Sequence, residues 1–373
     1  MATAIPRPSP RVNGDRRDPT SPPRLLVAAS GTGGHIFPAL AVVEQLPTWQ
    51  IEWLGVPQRL EAKLVPDRYP LHRVAMSGWQ GSPWQKLGSL VQLARATLQV
   101  RQILASGQFD VVLTTGGYIA APTILAARSL GVPVLLHESN CLPGKVTRWL
   151  GRFCRLVALG MAETAEHLPG AVTRVVGTPV RAEFYQPQPL PADLPIPEGD
   201  PLIVVMGGSQ GARGLNRLVA ACAPAWLEAG AWIVHLTGGS EVGIPSHPRY
   251  RAFPFRADVA ALLQRATFAI SRAGALSLAE LWATATPAIL IPYPFAAEDH
   301  QYHNALAFVG RGGGVVMRES EANLDLLRQT ALAWLAQPQV VAQMAANLKA
   351  TAPPAASKAV ARLLQEICRD SAR

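Results

Sequence analysis

Three glycine-rich stretches of this chain sit beside residues able to do chemistry. "GTGGHIFPALAV" (31–42) carries His35 at the exit of a glycine loop, "GGSQGARG" (207–214) carries Ser209, and "SRAGALSLAE" (271–280) joins Arg272 to Glu280. Gly31, Gly33 and Gly34 let the backbone approach a ligand, and a helix starting near Ile36 offers unpaired N–H groups and a positive dipole end to an anion. A histidine at that position is a candidate general base, and equally a candidate helix cap. Ser209 adds a hydroxyl behind Gly207 and Gly208, an arrangement suited to a diphosphate. Glu280 can accept hydrogen bonds from vicinal hydroxyls such as those of a ribose, or balance a helix dipole. "EDHQYHNA" (298–305) supplies His300, Gln301 and Asn304, which can pair with sugar hydroxyls or form a polar helix start.

Spacing removes several rival chemistries. A dinucleotide fingerprint needs a third glycine where this chain has Ile36, and the only Gly-Lys pair, Gly144-Lys145, is followed by Val146 rather than Ser or Thr. No D-x-D occurs, and HESN (137–140) meets Cys141 where a zinc-protease motif needs histidine. No metal and no cofactor are expected. Group transfer from a diphosphate-activated donor is the chemistry that survives.

Those residues need elements to hold them. With 373 residues, 49% apolar and 16% charged, the chain is long and apolar enough for two cores. The net charge of +9 suits a polyanion, an acidic membrane surface or a phosphorylated substrate. The basic residues are dispersed and no nucleic-acid-binding signature appears, so no nucleic acid is expected. Cys141, Cys154, Cys222 and Cys368 are widely spaced and read as free thiols in a reducing cytoplasm. No apolar run is long enough to span a membrane, and no signal segment opens the chain.

Residues 1–23, rich in arginine and proline, read as a disordered arm. From Arg24 onward short apolar runs end in glycine or polar clusters: LLVAAS, DVVLT and PVLLH, then, after a proline-rich stretch at 186–201, LIVVM, WIVHLT, FAIS and AILIPYP. This βα alternation, twice over, predicts an α/β protein of two doubly wound, Rossmann-like domains with the ligand in a central cleft beyond the strands' carboxyl ends. The expected boundaries are an N-terminal domain at 24–180, a C-terminal domain at 181–355, and a last helix at 356–373 packing back towards the first.

GTGGHIFPALA, TGGYIAAP, HESN, GTPVR, GGSQGARGLN, SRAGALSLAE and EDHQYHNA occur in an order and spacing that resembles the MurG branch of glycosyltransferase family 28, which has the GT-B fold. The resemblance covers roughly residues 24–365. It implies an inverting, metal-free transfer of GlcNAc from UDP-GlcNAc to the C4 hydroxyl of MurNAc in undecaprenyl-diphosphate-MurNAc-pentapeptide (lipid I), forming lipid II for peptidoglycan. For the donor it implies Phe255 and Arg256 at the uracil, Glu280 at the ribose, and Ser209, Arg181 and Arg272 near the diphosphate. Ala275, Leu276 and Ser277 then lie beside the donor sugar, with His300, Gln301 and Asn304 reading its hydroxyls. Thr32, Gly33, Gly34, His35 and Asn140 border the substrates from the N-terminal domain, with Gly31, Tyr118 and Glu138 on the acceptor side. His35 and Glu138 are the two candidate bases. Ser139, Thr178 and the IAAP after Tyr118 depart from the family's usual HEQN, GNPVR and GGYVSGP.

A lipid acceptor implies a membrane. Trp79, Trp84, Lys86, Leu87, Leu90, Val91 and Arg95, continuing through Leu98, Arg101 and Ile103, form a basic amphipathic stretch that suits an anionic leaflet; a helix packed on the sheet would show the same spacing. The resemblance places the enzyme at the cytoplasmic face of the bacterial inner membrane as a peripheral protein, with other cell-wall synthesis proteins as candidate partners. Another GT-B glycolipid glycosyltransferase, a UDP-GlcNAc 2-epimerase and a non-catalytic sugar-nucleotide scaffold are the rival readings.

Overall fold

The computed structural model of the chain describes residues 21–56, 64–76, 83–208, 212–240, 243, 246–320, 324–353 and 355–372, with the side chains of 83–87 and 372 excepted. Most of the expected N-terminal arm, Trp79 and Ser209 lie outside the described residues, as do the side chains of Trp84, Lys86 and Leu87. Two compact units emerge. One takes the described residues of Met1–Ser139, Pro143–Pro179 and Pro354–Arg373; the other takes Asn140–Leu142 and Val180–Pro353.

The first unit holds a seven-stranded sheet in the order β3-β2-β1-β4-β5-β6-β7. Its strands are β1 (Arg24–Ala29), β2 (Gln50–Gly55), β3 (Leu71–Arg73), β4 (Val111–Gly116), β5 (Val134–Glu138), β6 (Leu156–Leu159) and β7 (Thr173–Val175). Every pairing is parallel. Parallel strands are covered on both faces, which is why LLVAA reads as a continuous apolar run. Alternate side chains separate by face. Leu25, Val27 and Leu135 join one core with Ile36 and Val43 of the helix Gly33–Val43, while Leu26, Val112 and Leu136 join another with Ala96, Val100 and Leu104 of the helix Pro83–Gly107.

The helix Ala356–Ala372 completes the first of those cores. Val360, Leu363, Leu364 and Ile367 fall on one stripe at helical spacing and are buried with Ile36, Val43 and Leu25. Burying each such side chain contributes about 1.5–3 kcal/mol. The last segment of the chain is therefore part of the first unit's interior.

The second unit repeats the plan with β8 (Leu202–Met206), β9 (Trp232–Leu236), β10 (Tyr250–Phe253), β11 (Phe268–Ser271), β12 (Ala288–Leu290) and β13 (Gly314–Val316). They form a parallel six-stranded sheet in the order β10-β9-β8-β11-β12-β13. Ile203, Val205, Phe268 and Ile270 pack against Leu215, Val219 and Trp226 of the helix Arg213–Glu228. In both sheets the winding reverses beside the first strand, between β1 and β4 and between β8 and β11. Loops that leave neighbouring strands for opposite faces open a crevice at such a switch point.

Candidate active site

In the first unit, the loops after β1 and β4 meet at the switch point. The helix Gly33–Val43 starts at Gly33, three residues before the sequence-based estimate at Ile36, so His35 lies within its first turn. Thr115 holds this residue at two points, the ring and the backbone. Its Nδ1 lies 2.7 Å from the Thr115 carbonyl, and the Thr115 hydroxyl donates to the His35 carbonyl at 2.7 Å. A carbonyl only accepts, so Nδ1 carries the proton and a neutral His35 keeps the Nε2 lone pair open. Gly116, at φ 104°, leaves the ring its space: a Cβ there would lie 2.9 Å from His35 Cε1. Gly31, at φ 105°, has no atom within 4 Å of an added Cβ, which leaves this backbone open to close approach.

Glu138 ends β5 and is buried. Its Oε2 accepts from the Gly144 N–H at 3.1 Å and from the Thr147 hydroxyl at 2.7 Å, so this oxygen holds the start of the helix Lys145–Leu150. Beside it His137 is 1% exposed. Its Nε2–H donates to the Gly177 carbonyl at 2.9 Å, which leaves Nδ1 to accept from Ser139 Oγ at 3.3 Å. Burial pushes the His137 imidazole below its usual range, against the Gly177 bond and the Glu138 charge, with His35 adding to the push. A neutral His137 thus ties β5 to the segment that opens GTPVR. Motif reading passed over this histidine because its partner lies 40 residues on. Tyr118, 37% exposed, stands just after β4.

In the second unit, Gly208 at φ 84° again has open space where a Cβ would be, just after β8 and ahead of the helix Arg213–Glu228. Across the switch point, the helix Ala275–Ala283 begins after Gly274 with no acidic residue in its first turn, and Ala275, Leu276 and Ser277 form that turn. Glu280 lies further along it. Burial pushes its carboxyl up to about 7; Arg181 pulls it back and Glu183 adds to the rise. Arg181 pairs with Glu183 at 3.0 Å. Gln301 Oε1 accepts the backbone N–H groups of Ala273 at 3.2 Å and Tyr293 at 3.0 Å, which leaves its NH2 as the group able to donate to a ligand. His300 Nδ1 bonds the Ala297 carbonyl at 2.8 Å.

Three of the expected binding groups have partners within the fold. Asn304 has 0% exposure; its oxygen accepts from the Cys141 N–H at 2.8 Å, and its NH2 donates to Asn140 Oδ1 at 3.1 Å and the Ala273 carbonyl at 3.2 Å. It ties 140–141 to the loop after β11, with both amide hydrogens engaged and the oxygen accepting one bond. Arg256 is shared between Asp193 and Asp258 in four charged hydrogen bonds of 2.6–3.0 Å, which hold its guanidinium charged and leave the neighbouring Phe255, 76% exposed, as the open aromatic face. Arg272 is 5% exposed; it donates to the carbonyls of Ile291 and Pro292 and pairs with Glu319 at 2.5 Å. Apart from Asp258, these partners lie far along the chain and are invisible to local spacing.

On the helix Pro83–Gly107, Ala96, Val100 and Leu104 face the core, whereas Leu90, Val91 and Leu98 are 48%, 47% and 66% exposed, with Arg95 exposed among them. Val91 and Arg95 also line an open surface recess with Ala75, Gly88, Gln92, Ala96 and Gln99. The stretch is therefore both a packed helix and an exposed apolar and basic face. Among the described residues no helix is long and apolar enough to cross a membrane, and no three His, Cys, Asp or Glu residues group as a metal site.

The family models described as the glycosyltransferase family 28 N-terminal and C-terminal domains match residues 25–159 and 202–360. A curated Synechococcus protein (strain JA-2-3B'a(2-13)), the UDP-N-acetylglucosamine--N-acetylmuramyl-(pentapeptide) pyrophosphoryl-undecaprenol N-acetylglucosamine transferase, is 83% identical over 362 residues, 96% of this chain and 99% of the relative. The protein of the same description from Gloeobacter violaceus is 54% identical over 354 residues, 93% of this chain and 99% of the relative. Among solved structures, Acinetobacter baumannii MurG superposes with a TM-score of 0.77 at 30% identity, covering 92% of this chain and 100% of that one.

Proposed function

Because this chain belongs to glycosyltransferase family 28, we propose that it transfers N-acetylglucosamine from UDP-GlcNAc to undecaprenyl-diphosphate-MurNAc-pentapeptide (lipid I), forming lipid II. The C4 hydroxyl oxygen of MurNAc attacks the anomeric carbon of the donor in line, and the new C–O bond forms as the bond to the β-phosphate breaks. The electron pair leaves with UDP. Inversion gives a β linkage.

The first-turn N–H groups of the helices Arg213–Glu228 and Ala275–Ala283, with the open backbone at Gly208, face the charge that builds on the departing diphosphate. Dipoles fixed in place need little reorganisation at the moment of reaction. Glu280 accepts the ribose hydroxyls, Phe255 offers its exposed ring to the uracil, and the Gln301 NH2 donates to sugar hydroxyls. On the acceptor half, His35 takes the C4 hydroxyl proton at Nε2, and the glycine loop 31–34 receives the acceptor's diphosphate.

The observation that carries this reading is the fixed His35 tautomer, with Nδ1 held by Thr115 and Nε2 left as the acceptor. Its rival, Glu138, has one oxygen spent on two internal donors. The exposed Leu90, Val91, Arg95 and Leu98 support peripheral docking on an anionic leaflet at the cytoplasmic face, where cell-wall synthesis proteins are candidate partners.

The test is UDP release from UDP-GlcNAc in detergent and chelator, with and without a lipid I analogue, for wild type and His35→Ala. Release is expected to require the acceptor, to survive chelation, and to fall about 10²–10⁴-fold in the variant. Survival of activity in the variant moves the base to Glu138. Release indifferent to the acceptor refutes the transfer and leaves the epimerase or scaffold reading.

A further inference from the structure

We propose that Glu319 is a charge filter on the donor site, admitting the doubly charged diphosphate of a nucleotide sugar and weakening retention of the more highly charged free nucleoside diphosphate. The inference rests on the reading above that the N-terminus of the helix Arg213–Glu228 receives the donor diphosphate. It assigns a role to a residue from beyond the last strand of the sheet that none of the motifs contains.

Two contacts place the carboxylate. A Cβ added to Gly214, the second residue of that helix, would overlap Glu319 Oε1 and lie 2.7 Å from its Cδ, so the carboxylate rests flush against the first turn in the space a side chain would take. Its other oxygen stands 2.5 Å from Arg272 Nη1. The helix carries no acidic residue of its own in that turn. Glu319 is thus an anion, brought from the loop after β13, at the end of a helix that attracts anions.

The charge balance follows. Arg272 is buried with its guanidinium turned to the Ile291 and Pro292 carbonyls and to Glu319, so its positive charge is already countered. A diphosphate entering here meets the helix N–H groups and the exposed Arg213 at the helix start, and each added negative charge is felt by the Glu319 carboxylate. The donor's diphosphate is a diester with two negative charges; the released UDP has a free terminal phosphate whose second ionisation is largely complete above pH 7. The extra charge falls on the β-phosphate, the group nearest the cleaved bond. The filter therefore acts after transfer, favouring product departure.

Glu319→Gln keeps the shape and removes the charge. Calorimetry on wild type and variant is expected to show UDP binding about tenfold tighter in the variant, the scale of one unit-charge interaction across several ångströms at a partly exposed site. UDP-GlcNAc, with one charge fewer, should tighten by a smaller factor, so the ratio of UDP to UDP-GlcNAc affinity rises. A purely structural role would move both ligands together, so equal changes, or weaker UDP binding, overturn the filter. A comparison on wild type alone needs no variant to fold: UDP methylated on its β-phosphate, with two charges, should bind at least as tightly as UDP, and a clear preference for UDP overturns the proposal. Wild type that binds neither UDP nor UDP-GlcNAc removes the donor-site reading and the filter together, whereas normal binding with an unchanged ratio removes the filter alone.

Discussion

Glu280→Gln should make the protein more stable and a poorer donor binder at the same time, with both effects set by pH. Burial raises the Glu280 carboxyl from 4.5 to about 7. That rise is about 2.5 units, which at about 1.4 kcal/mol per unit is at most ~3 kcal/mol against the ionised folded form. The residue is partly open to water, and solvent screening reduces this to about 1–2 kcal/mol. A raised acid holds its proton longer in the folded state than in the unfolded one, so stability is unaffected below pH 4.5, falls as pH rises from there to about 7, and is level above that. The glutamine variant lacks this penalty, and its advantage over wild type should grow to about 1–2 kcal/mol at pH 8 and vanish near pH 4.

Donor binding runs the other way. With Glu280 at the ribose as proposed, the hydroxyls would donate to the ionised carboxylate, so wild-type affinity for UDP-GlcNAc should rise about tenfold from pH 6 to pH 8 as Glu280 loses its proton. The variant should bind roughly 10–100-fold more weakly at pH 8, the loss of hydrogen bonds to a charged group, and show no such pH dependence. Denaturant melts and calorimetry across pH 5–8 measure both curves. UDP-GlcNAc is the better ligand here because, unlike UDP, its diester phosphates do not titrate in that range. A flat wild-type affinity between pH 6 and 8, or a variant that binds as wild type does, would refute the placement of Glu280 at the ribose.

Two further substitutions probe the framework. Leu364→Ala, in the last helix, removes a side chain with no exposure from the first unit's core and should cost about 2–5 kcal/mol by denaturant melts, although it lies roughly 250 residues beyond β4, the strand its helix packs on. Gly117→Ala places a Cβ onto the Ser30 carbonyl at a φ of 84°, so soluble yield and melting temperature should both drop sharply, by more than a Gly→Ala change at an unstrained loop position.

Much of the architecture was legible in the order of residues alone. LLVAAS, DVVLT, PVLLH, LIVVM, WIVHLT, FAIS and AILIPYP each coincide with a strand, because a strand buried on both faces must be continuously apolar and must end where glycine or polar residues turn the chain. Glycines at open positive φ, Gly31 and Gly208, were legible for the same reason: the conformation restricts the residue type locally. The shorter or more mixed strands, such as β2 (QIEWLG) and β7 (TRV), carried too little pattern.

Tertiary structure decided how the polar residues are used. Asn304, Arg256 and Arg272 have side chains suited to a ligand, and the fold gives them internal partners in Asn140, Asp193 with Asp258, and Glu319. His35 was visible as a candidate, but its proton position came only when β4 set the Thr115 carbonyl beside it. Glu319 had no signature at all until β13 delivered it to the start of a helix about a hundred residues earlier. The physical reason is one of range. Backbone conformation and burial pattern are imposed by neighbours in sequence, whereas a hydrogen bond or an ion pair acts over a few ångströms between residues that only the folded chain brings together.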